Sequence, residues 1–377
     1  MAAANFSTGN PALDILYILL NGISEVPLIS APLAGLLILM GTLVASRKAA
    51  AIMFVSSLVG AGAAILLGAP YDLVTFGLFG YNSVLTGMAL WSGPFTRSNR
   101  ATLALSLFGA AVTSVTWMAI ANFMGNLFAI GGGGYAIPGF TAAFVFTTWA
   151  IMYASKRYGT DIWPRPALQD RPVRLIEVHE TASGTGTLLE GSENPVPEQI
   201  PGFAWNAWEF TKAVLNGVSQ VTFVENWITG LFWVIGLTLS FELVATGGRV
   251  LTNAFTAGWD PASPLFLAGV MALIGSAIGA VFAIWAKFPL AEIRSGIHGY
   301  NQVLVMIALT SFLPLTAVTF LYAVLATIVC TLFTMPALQN FMGRWGIPAL
   351  TAPFVFTTWI FILAAPYALN IPFGIGW

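Results

Sequence analysis

Long apolar runs dominate this chain, and their lengths carry the first information. Residues 11–21 are apolar but span only about 11 positions, too few for a bilayer crossing that needs ~20. The run ends at a Gly-x-Ser break at 22–25 and reads as a half-helix. Full-length apolar segments follow at about 27–46, 50–69, 72–91, 101–126 and 138–155. The pattern then turns polar, and 156–201 is rich in Pro, Gly, Ser, Glu and Arg, as an exposed linker is. After it the plan repeats. A short run at 203–216 reaches a second break at 217–220, and apolar segments follow at about 222–245, 264–286, 292–310, 313–336 and 349–367. This predicts an all-α integral membrane protein of two repeats, each of five transmembrane helices plus one membrane-embedded half-helix, ten spans in total. The expected boundaries are 1–155 and 203–377 for the repeats and 156–202 for the linker, with both repeats forming one pore-containing unit.

Three blocks recur in the same order, which makes internal duplication the simplest account. Leu20-Asn21-Gly22-Ile23-Ser24-Glu25-Val26 returns as Leu215-Asn216-Gly217-Val218-Ser219-Gln220-Val221, and the following glycines match too, Gly35 and Gly41 against Gly230 and Gly236. Gly80-Tyr81-Asn82 returns as Gly299-Tyr300-Asn301. Ile137-Pro138-Gly139-Phe140-Thr141-Ala142-Ala143-Phe144 returns as Ile347-Pro348-Ala349-Leu350-Thr351-Ala352-Pro353-Phe354. Five spans per repeat is an odd number, so the second repeat starts on the opposite face and the repeats are expected to be inverted. The termini then share one face and the linker occupies the other. On that sorting every Lys and Arg except Arg249 falls on the linker face, which the positive-inside rule places in the cytoplasm.

Composition agrees with the pattern. Apolar residues make up 57% and charged residues 8%, where a soluble domain carries about 25% charge. The mean hydropathy is +0.83. A net charge of -1 gives no footprint for nucleic acid, and the single cysteine, Cys330, excludes a disulfide framework. The first ten residues hold no Lys or Arg, so the first spans are expected to direct insertion. No metal cluster, triad or activated nucleophile stands out, which argues against an enzyme.

The duplicated breaks are the strongest candidates for chemistry. The last carbonyls of a half-helix have no intrahelical partner and carry the negative end of its dipole. Irregular backbone at membrane depth is tolerated only inside protein or along a wet cavity. Two such ends would face one pathway, and Glu25 and Gln220 would extend each row with side-chain oxygen. Rows of oxygens suit a neutral, planar solute rich in N–H donors. Tyr81 and Leu85, like Tyr300 and Leu304, lie four apart on one helix face and would wall a flat slot. Asn82 and Asn301 read as braces for neighbouring backbone. Thr141 and Thr351, each at a helix start after a proline, are candidates for pore hydroxyls. His298 stands where the first repeat has Phe79, either bonded to a neighbouring carbonyl or beside the pore as a pH-sensitive group.

The two Ile-Pro-x-x-Thr-Ala-x-Phe blocks resemble the Leu-Pro-x-x-Thr-x-Pro-Phe signature of urea transporters. The duplicated break and the Gly-Tyr-Asn block are similar to that family as well. The resemblance covers the chain apart from linker and tails. It implies a homotrimer in the cell membrane (inner or plasma membrane) with a pore through each protomer. It also implies passive, channel-like conduction of urea through a selectivity filter at the repeat interface, without a cofactor. Carried over by motif position, Glu25 and Gln220 become the ladder residues and Val26 and Val221 wall residues. Phe223 becomes the slot aromatic, with Leu28 at its matching position. Tyr81, Leu85, Tyr300 and Leu304 become facing walls, and Thr141 and Thr351 the narrow middle. Leu28 in place of an aromatic and Ala143 in place of the signature proline depart from the pattern. They leave room for a urea analogue or a short-chain amide. The alternative is a proton-coupled or passive transporter of such a solute, with Glu25 as the proton carrier in the coupled case. The resemblance also implies cytoplasmic termini, the opposite of the charge sorting. An ammonia channel would bring paired pore histidines, and an aquaporin a second partner for Asn10-Pro11-Ala12; neither occurs.

Overall fold

The computed structural model describes residues 7–129, 138–157, 205–239, 267–313 and 315–369. The predicted linker lies outside the described residues except for its first two positions, as do Arg249 and the end of the segment predicted to reach residue 245.

All regular structure among the described residues is helical, in two matched series. The first runs α1 (Pro11–Ser24), α2 (Pro32–Ala45), α3 (Arg47–Leu66), α4 (Tyr71–Phe76), α5 (Tyr81–Trp91), α6 (Arg100–Ala129) and α7 (Ala142–Ala154). The second runs α8 (Ala207–Ser219), α9 (Trp227–Leu239), α10 (Ala268–Trp285), α11 (Leu290–Ser295), α12 (Tyr300–Phe312), α13 (Ala317–Gly343, with a π-helical turn at Cys330–Thr334) and α14 (Ala352–Ala368). Each half-helix starts at a local signal. Asn10 accepts from Ala12 N with Pro11 at the first helical position, and Asn206 accepts from Trp208 N and Glu209 N.

Among the described residues, four helices are long and apolar enough to cross a membrane: α3, α6, α10 and α13. A fifth crossing is counted if α8 with its terminal 3-10 turn and α9, which meet at 77°, form one broken span. The structure corrects two predicted spans. The segments at 72–91 and 292–310 are not continuous helices but a short α4 or α11, a turn, and then α5 or α12. The turns form at Gly77 (φ 104°) and Gly296 (φ 85°), a left-handed backbone that glycine adopts without strain. The missing side chain is needed for a second reason: a Cβ at Gly77 would stand 2.5 Å from the Asn21 carbonyl carbon, and one at Gly296 2.2 Å from Gly217 N. The breaks let each turn nest against the half-helix of its own repeat.

The half-helices are held from behind by the same devices twice. Ser57 Oγ donates to Leu19 O at 3.1 Å, and Ser276 Oγ donates to Val214 O at 2.7 Å. A Cβ on Gly35 would lie 2.0 Å from Leu20 O, and one on Gly230 2.0 Å from Leu215 O, so α2 and α9 touch the half-helices backbone to backbone. Across the repeats, α2 packs on α9, where Thr229 Oγ1 donates to Gly41 O at 2.7 Å. One buried apolar cluster joins residues of both halves, including Val26, Leu85, Val221 and Leu304.

Candidate functional site

Where the half-helices stop, the chain folds over tightly. After α1, Leu28 N donates to Glu25 O at 2.9 Å, and after α8, Phe223 N donates to Gln220 O at 2.9 Å. Leu28 (φ 67°) and Phe223 (φ 59°) both adopt the left-handed conformation, which is strained for side chains of this size. The two predicted slot positions therefore share one backbone geometry although one carries an aliphatic chain and the other a ring.

The predicted ladder residues, Glu25 and Gln220, differ in type but converge in what they offer. Gln220 Nε2 donates to Ser295 O at 3.0 Å, so its amide nitrogen is used and Oε1 is left as an acceptor. In the first repeat the matching carbonyl, Phe76 O, is taken at 2.6 Å by Ser30 Oγ instead. That frees the side chain of Glu25, a residue 5% exposed, whose carboxylate makes no hydrogen bond or ion pair among the described residues. A carboxylate could not donate to Phe76 O, so the first repeat supplies a separate hydroxyl for it. Each end thus presents side-chain oxygen beside a half-helix terminus.

The Pro-x-x-Thr blocks meet face to face. Thr141 Oγ1 and Thr351 Oγ1 lie 2.6 Å apart, both fully buried. Reciprocal bonds flank them: Trp149 Nε1 donates to Pro348 O at 2.8 Å and Trp359 Nε1 to Pro138 O at 3.0 Å. The two hydroxyls share one hydrogen bond, which leaves the second proton available to another acceptor.

The Tyr-Asn pairs hold these blocks in place. Tyr81 OH donates to Phe140 O at 2.6 Å, while Asn82 donates to the same carbonyl and accepts from Phe144 N at 3.0 Å. Tyr300 OH donates to Leu350 O at 2.7 Å, and Asn301 accepts from Phe354 N at 3.1 Å. Phe140 (φ 47°) and Leu350 (φ 54°) are again left-handed, held so by bonds to their carbonyls. The asparagines brace backbone as expected. The tyrosines are wall candidates through their rings only, because their hydroxyls are committed to this brace.

His298 pairs with a side chain rather than with a backbone carbonyl. Its Nε2 lies 2.9 Å from Glu292 Oε2, its ring stacks on Phe288 at 4.7 Å, and both members of the pair are about 3% exposed. Glu292 is buried as well. Ser295, Ser30, Phe95 and Phe144 were not singled out by sequence. Phe144 stood inside a matched block, whereas nothing local marks the others.

Two comparisons bear on this arrangement. A sequence model of the urea transporter family matches residues 2–156 and 211–373, which leaves out chiefly the linker. The chain is 27% identical over 379 residues to urea transporter 1 of Capra hircus, covering 98% of this chain and 82% of that protein. It is similar to the proteins of the same name from Rattus norvegicus (27% over 380 residues) and Mus musculus (26% over 377 residues).

Proposed function

Because this chain belongs to the urea transporter family, we propose that it carries urea across a cell membrane, passively and in channel-like fashion, through a filter between its two repeats. The carrying observation is the pair of half-helix ends presenting Glu25 and the Oε1 of Gln220, with the Thr141–Thr351 pair at 2.6 Å between the repeats. Urea is flat and offers four N–H donors and one carbonyl. Acceptor oxygens at each end meet its N–H groups, apolar side chains (Val26, Leu28 and Leu85 toward one end, Val221, Phe223 and Leu304 toward the other) meet its faces, and the spare hydroxyl proton can meet its carbonyl. The rings of Tyr81 and Tyr300 back the walls.

The matched helix series and reciprocal tryptophan bonds support inverted repeats within 1–155 and 203–377, with a total of ten spans when the shorter helices cross too. The motif resemblance supports reading the assembly as a homotrimer in the inner or plasma membrane.

Proteoliposomes placed in inward gradients of urea, acetamide and glycerol test the proposal by shrinkage and re-swelling. Urea-specific re-swelling, unaffected by an uncoupler, is the expected result; none beyond protein-free vesicles would sink it. Gln220→Ala and Thr351→Val should each slow urea entry by about 2- to 10-fold, the equivalent of one neutral hydrogen bond. Unchanged flux in both would mean that the pathway runs elsewhere.

A proton-coupled reading is favoured by one observation, the buried Glu25 carboxylate without a hydrogen-bond partner among the described residues. The two readings separate at Glu25→Gln. Passive conduction keeps its flux, because glutamine already serves at the matching position; proton coupling loses it.

A further inference from the structure

Phe223, predicted as the slot aromatic, shares its left-handed backbone with Leu28, and its ring does not stand alone. Phe95 meets it edge-on, with centroids 5.3 Å apart and planes at 78°, and Phe144 lies against it at 5.9 Å and 44°. Phe95 comes from the loop between α5 and α6 of the other repeat and is half-buried, as Phe223 is. That loop is pinned at several points. Thr96 Oγ1 donates to Leu90 O at 2.8 Å, Gly93 N to Met88 O at 2.6 Å, and Trp91 Nε1 to Asn99 O at 3.2 Å, with Lys48 Nζ 5.0 Å above the Trp91 ring. A ring on a fixed loop fixes the rotamer of the ring it abuts. Phe223 can otherwise swing, because a left-handed backbone sets where its Cβ points but not its side-chain torsions.

We infer that Phe95, packed edge-on against Phe223 from the opposite repeat, is a positioning residue that sets the thickness of the slot at this end of the pathway. The inference rests on the pathway proposed above and deepens it. A fixed ring face admits a flat solute and rejects one with tetrahedral carbons. The Leu28 end carries no ring at the corresponding position, so planarity is selected at the Phe223 end.

The test follows urea and glycerol entry into vesicles carrying the wild type, Phe95→Ala, Phe95→Leu, Phe95→Tyr, Phe223→Ala and the double alanine variant, each checked for folding by size exclusion and thermal melting. Phe95→Ala and Phe95→Leu should lower the urea-to-glycerol ratio by about 2- to 10-fold, the range of one edge-to-face aromatic contact, chiefly by admitting glycerol. Phe95→Leu keeps apolar bulk without a ring edge and covers the case in which the alanine fails to fold. Phe95→Tyr should hold the wild-type ratio, and the double variant should be no less selective than Phe223→Ala, because both changes act through one ring. A wild-type ratio in Phe95→Leu, or equal slowing of both solutes, overturns the inference while leaving the urea pathway intact. A wild type that moves neither solute above background overturns the pathway and the inference with it.

Discussion

His298→Phe alone should melt well below the wild type in detergent, and so should Glu292→Leu alone, whereas the double variant should recover most of the loss. The reason lies in the duplication. Pro289 to Tyr300 repeats Pro70 to Tyr81, and in that register Glu292 stands where the first repeat has Leu73 and His298 where it has Phe79. Phe79 packs in a small apolar cluster with Ile18, Ala61, Ala64 and Val74. The second repeat fills the equivalent place with a hydrogen-bonded pair 2.9 Å apart. Removing one partner strands a buried polar group, a loss of about 1–3 kcal/mol for a neutral group and ~3–5 kcal/mol if a charge remains. Removing both restores a combination that the other repeat already accommodates, and Phe at 298 can still stack on Phe288. Buried pairs replaced by apolar residues of similar size are often neutral or stabilising. Melting temperatures that fall additively through the double variant would show that the two sites respond independently and that the repeat equivalence does not extend to packing.

The second large effect is expected at Gly35 and Gly230. Alanine at either position places a Cβ 2.0 Å from the carbonyl oxygen of Leu20 or Leu215, a backbone atom with no rotamer through which to yield. The half-helix must move away from α2 or α9, which displaces Glu25 or Gln220 along with it. Overpacking of this kind destabilises by about 1–3 kcal/mol or more. Urea flux should fall toward background in both variants, with less folded protein recovered. Gly62→Ala supplies the contrast: a Cβ there meets nothing within 4 Å, and flux and melting should match the wild type. Gly230→Ala with undiminished flux would mean that the half-helix end does not need its observed position.

The candidate site was legible in the sequence to the extent that duplication wrote it twice. Glu25, Gln220, Thr141 and Thr351 stood out because each lay at the same place in two blocks. Hydrophobic run lengths sufficed for helices and for the short first run, since crossing a bilayer is a length requirement. Run length failed at 72–91 and 292–310. Gly77 sits inside mainly apolar sequence and Gly296 between Ser295 and His298, so the two share no local sign of a break, and only the close approach of the half-helix to the turn shows why the helix must stop there.

Partner choice was decided by tertiary structure. Tyr81 reaches the Phe140 carbonyl across 59 residues, and Thr141 reaches Thr351 across 210, distances over which spacing carries no information. The same holds for Phe95, a lone loop aromatic in the sequence that the fold sets against Phe223. The chain itself determined which residue types stand at each half-helix end, because helix length, break and block identity are local properties. Which polar atoms are already taken was decided only when the fold brought Ser295 O to Gln220 and Ser30 to Phe76 O. A side chain's free valence is whatever its neighbours leave over, and those neighbours come from distant parts of the chain.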